Sequence, residues 1–225
     1  MYDKESAFAY DPQRRLEIED LRYGDVINLT PGTLPWNPIV RLAYGEIIHE
    51  NEVDYGIPFH TSIHSWFHTG HGRIFQVDTS GAHFGWFDLR KLDPKRWYPV
   101  CRYRWSGLID ATGREYLWAC MKELEGTPYD FGQLMAILFN KILGWPQDEY
   151  LPIFDFCNKW KVCSVLARGL LIAWYELVKH QFDYIKRPGG PLHVERTPPG
   201  LFENHRETFQ LIGVLNGGAG RQKRG

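Results

Sequence analysis

Cys163 opens an apolar run at helical spacing, Cys163 to His180, directly after the basic stretch Lys159-Trp160-Lys161. A thiol at a helix N-terminus feels the positive end of the macrodipole, and neighbouring lysines add to that field, so the nucleophilic thiolate is favoured. Packing in a core is the commoner fate of a free cysteine, so position alone does not make a nucleophile. The thiol also needs a base within hydrogen-bond reach, usually a histidine that a third polar group orients. Cys157 is a rival nucleophile six residues earlier. It sits in a Phe-Asp-Phe-Cys context ahead of the helix start, where packing is the expected role.

Five histidines, at 60, 64, 68, 71 and 83, crowd the region that would supply the base. From Pro58 to Val77 the chain reads PFHTSIHSWFHTGHGRIFQV, two strand-like runs around Thr69-Gly70-His71-Gly72. The glycines suit the positive φ of a tight hairpin. A turn centred on Gly70 and His71 brings His64 opposite residues 76 to 78, and strand parity puts Gln76 and Asp78 on its face. A His64–Gln76 or His64–Asp78 pair is therefore geometrically natural. Parity alone does not separate His64 from His60 or His68. A metal site built from His60, His64, His68 and His71 is disfavoured, because positions 60, 64 and 68 of an extended chain do not converge without a bend.

These groups need elements to hold them. Leu21 to Thr30 alternates like a short strand before the cluster of Pro31, Gly32, Pro35 and Pro38, and further strands are expected over Phe84 to Leu89 and Trp97 to Trp105. Ala111 to Glu125 carries Leu117, Cys120, Met121 and Leu124 at helical spacing, with Asp110 as N-cap and Gly126 past the end. Phe131 to Leu143 reads as a second helix and Cys163 to His180 as a third. A loop and a last strand follow. Helices flanked by strands on both sides imply an α+β fold with a mostly antiparallel sheet packed against helices. The expected organisation is a leader over 1–20, one domain over 21–214 and a Gly-rich basic tail over 215–225. The Trp66, Trp86, Trp97, Trp105 and Trp118 set reads as core and cleft wall.

Composition narrows the function classes. With 225 residues, 44% of them hydrophobic, the chain can bury a full core. Lys+Arg at 26 against Asp+Glu at 27 gives a formal charge of -1, so no global field draws nucleic acid or anionic lipid. Four cysteines without paired spacing fit free thiols in a reducing compartment. The charged N-terminus lacks the apolar stretch of a secretory signal. Val165 to Val178, interrupted by Arg168 and Glu176, is too short to span a bilayer. The expected location is cytoplasmic or virion-associated.

The string from His64 through Gly70, Gly72 and Gln76 resembles the catalytic hairpin of circularly permuted NlpC-type papain-like amidases and lecithin retinol acyltransferase relatives. Other segments are similar to that family in the same order: Gly24-Asp25-Val26-Ile27 to its opening strand, and Gly81 to Leu92 to the segment after the polar residue. Tyr129-Asp130-Phe131 resembles its "YD-x-x-F", Val162-Cys163-Ser164-Val165-Leu166 its cysteine motif, and Thr197-Pro198-Pro199-Gly200-Leu201 the stretch before its last strand. The likeness spans about residues 21 to 214.

The resemblance implies a permuted papain-like fold in which Cys163 attacks, His64 is the base and Gln76 orients it, with Asp78 as the alternative third residue. Many permuted members carry an acid where Gln76 stands, and Val162 occupies a position where an aromatic is common. The Cys163 amide is the expected oxyanion donor. No metal or cofactor is called for. The implied reaction is cleavage of an amide, with a peptidoglycan peptide as one substrate class. The alternatives are a structural module of a larger assembly such as a phage virion, and a lipid amide or ester hydrolase or acyltransferase.

Overall fold

In the computed structural model the described residues are 15–29, 64–78, 80–87, 97–130, 163–191 and 201–216. They form a mixed α+β arrangement in which one sheet dominates. Its strands are β1 (Arg15–Leu16), β2 (Val26–Leu29), β3 (His64–Gly70), β4 (Arg73–Asp78), β5 (Gly81–Trp86), β6 (Trp97–Tyr103) and β7 (Phe209–Asn216). The helices are α1 (Ala111–Leu124), α2 (Cys163–Val178) and the single turn α3 (Leu201–Asn204). Among the described residues none of these helices is long and apolar enough to cross a membrane.

The strand order is β1-β7-β6-β2-β3-β4-β5, antiparallel throughout except where β1 joins β7 in parallel. Alternating apolar residues make both faces of this sheet bury side chains. Val26, Phe67, Phe75 and Val77 point into the larger cluster with Leu166, Leu170 and Trp174 of α2. Their neighbours Ile27 and Ile74 join Leu16, Tyr98, Val100 and Leu215 in a second cluster. Helix α2 thus packs on β3 and β4 and also touches α1. The two helices approach closely at Gly113, where an added Cβ would lie 3.0 Å from Trp174 Nε1.

Several elements follow from local chemistry. Asp110 caps α1 by accepting the Gly113 N–H at 2.8 Å, as its position before the periodic run predicts. The β3–β4 hairpin turns through Gly70, His71 and Gly72, all at positive φ, with Gly70 paired to Arg73. The strand expected from Leu21 forms only from Val26, because the preceding residues make a turn. In it Asp25 N–H donates to the Arg22 carbonyl at 3.1 Å, and the Asp25 carboxylate accepts the Arg22 N–H at 2.7 Å.

The expected strand at 84–89 instead begins at Gly81, where Ala82 exchanges backbone hydrogen bonds with Gly126 and Thr127 at the end of α1. Helix α2 stops at Val178 rather than His180. The leader expected over 1–20 contributes β1, with Leu16 buried, and β7 runs through Asn216, so the sheet takes in residues on both sides of the 21–214 bounds. The helix expected over 131–143, Cys157 and His60 lie outside the described residues.

Asp25 also anchors the sheet. Its fully buried carboxylate receives Arg102 Nε at 2.8 Å and Nη2 at 2.7 Å, a two-pronged pair joining the start of β2 to β6. Breaking a buried pair from one side leaves the other charge stranded, at about 3–5 kcal/mol. Arg102→Leu is therefore expected to lower unfolding free energy by about that much in a urea titration; a loss under about 1 kcal/mol would mean the pair is well solvated.

Candidate active site

Cys163 is the first residue of α2, and His64 is the first residue of β3. The contact of α2 with β3 brings the two side chains into hydrogen-bond contact. Gln76 reaches the same imidazole from β4 with a side-chain hydrogen bond. Phe67 pairs with Phe75 across the hairpin, and that register carries Gln76 and Asp78 back toward His64. The His64 ring also meets Trp66 edge-on at 5.7 Å.

The three expected residues therefore converge. Asp78 stays one step back: its Oδ1 accepts the Ser80 N–H at 2.8 Å and the Ser80 hydroxyl at 2.6 Å, while its Oδ2 lies 3.5 Å from Gln76 Nε2. Partial burial pushes the Asp78 carboxyl up, but Ser80, His83 and His64 together hold it below its usual range. It acts on His64 as a nearby negative charge.

His68 shares the face of His64 in sequence parity but plays a different part. It is buried, its Nδ1 lies 2.8 Å from the Arg22 carbonyl and so donates to it, and burial holds its pKa below the ordinary value. His71 is exposed at the hairpin tip.

The electrostatics of the pair are the more informative observation. Burial alone pushes the Cys163 thiol up, yet its pKa is lowered. The charge and hydrogen bond of His64 oppose burial, and so do the backbone N–H groups of Ser65 and Ser164. Burial likewise pushes His64 down, yet its pKa is raised, by the Cys163 charge and hydrogen bond, by Asp78 and by Gln76.

Cys101 supplies an internal comparison. It is 0% exposed against 2% for Cys163, and burial, with Glu203 and Asp25 nearby, drives its thiol well above the ordinary value. At comparable burial the two thiols move in opposite directions, Cys163 beside a histidine and two backbone donors and Cys101 beside two carboxylates.

At ordinary values of about 8.5 and about 6.5 a thiol and an imidazole stay neutral together. The ion-pair form would then be on the order of one part in a hundred. Both shifts move that balance toward thiolate and imidazolium.

The backbone N–H groups that act on the Cys163 thiol are those of Ser65 and Ser164, neither singled out by the sequence because a backbone N–H carries no residue signature; the Cys163 amide stays an expectation for the oxyanion. Ser65 sits in β3. Its position is fixed by a buried side-chain relay. Ser65 Oγ donates to Asn28 Oδ1 at 2.8 Å, and Asn28 Nδ2 donates to Glu203 Oε1 at 2.6 Å, tying β3 and β2 to α3. A cavity of about 1100 Å³ lies by the other end of the hairpin, where Tyr23, Gly70, His71 and Arg114 line it; Cys163, His64 and Gln76 are not among its walls.

Compared with known proteins, the chain matches no family model and no curated protein sequence. The functional reading therefore rests on the site itself.

Proposed function

We propose that the protein is a thiol hydrolase of the amidase or endopeptidase type, built on a circularly permuted papain-like fold. The observation that carries the reading is the convergence of the buried Cys163, at a helix start, with the half-buried His64 of β3, which Gln76 of β4 backs. Cys163 Sγ attacks the carbonyl carbon of the substrate, and the developing oxyanion is held by backbone N–H groups near the helix start. His64, protonated in the ion pair, gives its proton to the leaving amine, and an acyl-thioester remains on Cys163. Water then attacks that thioester with His64 as base, the thiolate leaves, and release of the acid restores the thiolate–imidazolium pair. Gln76 holds the imidazole through its carbonyl oxygen, and Asp78 favours the charged ring from a distance.

The chemistry asks for an amide or related acyl compound and uses no cofactor. A peptidoglycan peptide is the proposed substrate class, in a protein acting from the cytoplasm or from a virion. The direct test is incubation with purified peptidoglycan and, in parallel, with lipid amides and esters, scoring new amine ends from the amides and released fatty acid from the lipid substrates. Release of amines from peptidoglycan is expected. Turnover confined to the lipid substrates would replace the substrate assignment, and no turnover of any acyl compound would favour a structural module.

A further inference from the structure

We propose that His83 is a positioning residue that sets which way the Gln76 amide faces, and through it holds the N–H of His64. The inference rests on the hydrolase reading and extends it by a fourth residue. Gln76 and His83 are direct cross-strand partners on β4 and β5. Gln76 Nε2 lies 2.9 Å from His83 Nε2, and His83 Nδ1 lies 2.8 Å from the Gly81 carbonyl oxygen.

The polarity of this chain follows from one fixed point. A carbonyl oxygen only accepts, so His83 Nδ1 carries the hydrogen and donates it to Gly81. A neutral imidazole with hydrogen on Nδ1 has a bare Nε2. That nitrogen must accept, and the group facing it is the amide NH₂ of Gln76. The same NH₂ points toward Asp78 Oδ2 at 3.5 Å, a second acceptor that agrees with the orientation. With its nitrogen committed on that side, Gln76 has its carbonyl oxygen left for the ring N–H of His64. An amide turned the other way would set NH₂ against N–H at His64 and NH₂-less oxygen against a bare nitrogen at His83, losing both hydrogen bonds.

A free glutamine has no such preference, because its two ends are nearly the same shape and only partners distinguish them. An acid at the third position accepts from the histidine in either orientation. A glutamine needs a partner to fix its sense, and His83, with Asp78 beside it, supplies one. The groups around His83 are Gln76 and Asp78 of β4, the latter 3.8 Å from His83 Nε2, and Ser80, whose hydroxyl lies 3.5 Å from Nδ1.

The test reads the Cys163 thiolate directly, by its ultraviolet absorbance across pH. The variants are His83→Leu, Gln76→Ala, the double variant and His83→Gln, each referenced to the same protein carrying Cys163→Ser. His83→Leu is expected to raise the thiolate midpoint in the same direction as Gln76→Ala. About a tenfold smaller thiolate fraction is expected on the acid side, in the range typical of losing a group that orients a ligand. The double variant should shift no further than Gln76→Ala, since both act through one amide. His83→Gln, which keeps an acceptor, should restore at least half of the shift. An unchanged midpoint in His83→Leu, full additivity in the double variant, or a His83→Gln shift equal to that of His83→Leu would each overturn the proposal. Should His83→Leu fail to fold, the His83→Gln comparison decides by itself, with a midpoint near wild type expected. A wild-type Cys163 without a lowered midpoint would instead defeat the hydrolase reading, so the two failures are distinguishable.

Discussion

Cys163→Ala is expected to leave a folded protein whose amide turnover falls by about 10⁴-fold or more, because removing a covalent nucleophile leaves only binding and oxyanion contacts. Unfolding does not explain a loss of that size. The substitution deletes one buried sulfur, a change of about 1 kcal/mol by the cost of small core cavities, and it also removes a charge from a buried site. A 10⁴-fold rate loss corresponds to about 5.5 kcal/mol of transition-state stabilisation. The thermal midpoint should therefore move by only a few degrees while activity disappears. Retained activity in Cys163→Ala would move the chemistry elsewhere, and an assembly phenotype without a loss of hydrolysis would favour the module reading.

His64→Ala is expected to be nearly as damaging, with a loss of about 10³–10⁴-fold, and for a reason that can be observed separately from turnover. His64 is first among the influences that hold the Cys163 thiol down against burial. Without it, only the Ser65 and Ser164 N–H groups oppose burial, and the Cys163 thiol is expected to move up. Burial raises a lone thiol because the thiolate is the form that loses hydration.

The sign of the pH dependence follows. The lowered Cys163 pKa keeps the thiolate until pH falls through that lowered value, which gives the acid limb of activity. The raised His64 pKa keeps the leaving-group proton until pH rises through that raised value, which gives the alkaline limb. In His64→Ala the alkaline limb vanishes, and whatever reactivity remains should rise only with strongly basic pH.

How far the site is legible in the sequence depends on the range of each interaction. The hairpin was readable because Gly70 and Gly72 meet a local demand for positive φ, and parity then carried Gln76 to the face of His64. Cys163 was readable because an apolar helix begins there. Arg168 looked like an interruption of that helix. It is fully buried and donates to the carbonyls of Pro188, Gly189 and Gly190, a role set by a loop some twenty residues away. Burial, with Arg187 nearby, pushes its guanidinium down to about 10, still charged at neutral pH.

The sequence carries no sign of the part His83 plays, because its pattern predicts β5 from Phe84, whereas the backbone contacts with Gly126 and Thr127 start it at Gly81. That difference of three residues brings His83 from the preceding loop into register with Gln76. The parallel pairing of β1 with β7 and the Asp25–Arg102 pair join segments far apart in the chain, and no local pattern encodes either. Ser65 contributes through its backbone, which every residue shares.

The central claim is that Cys163 and His64 form a charged pair at neutral pH. It is tested most directly by titrating the thiolate absorbance of the wild-type protein and subtracting that of Cys163→Ser. A difference midpoint clearly below the ordinary thiol value of about 8.5, lost on His64→Ala, is the predicted result. A Cys163 midpoint at or above that value, unmoved by His64→Ala, would contradict it.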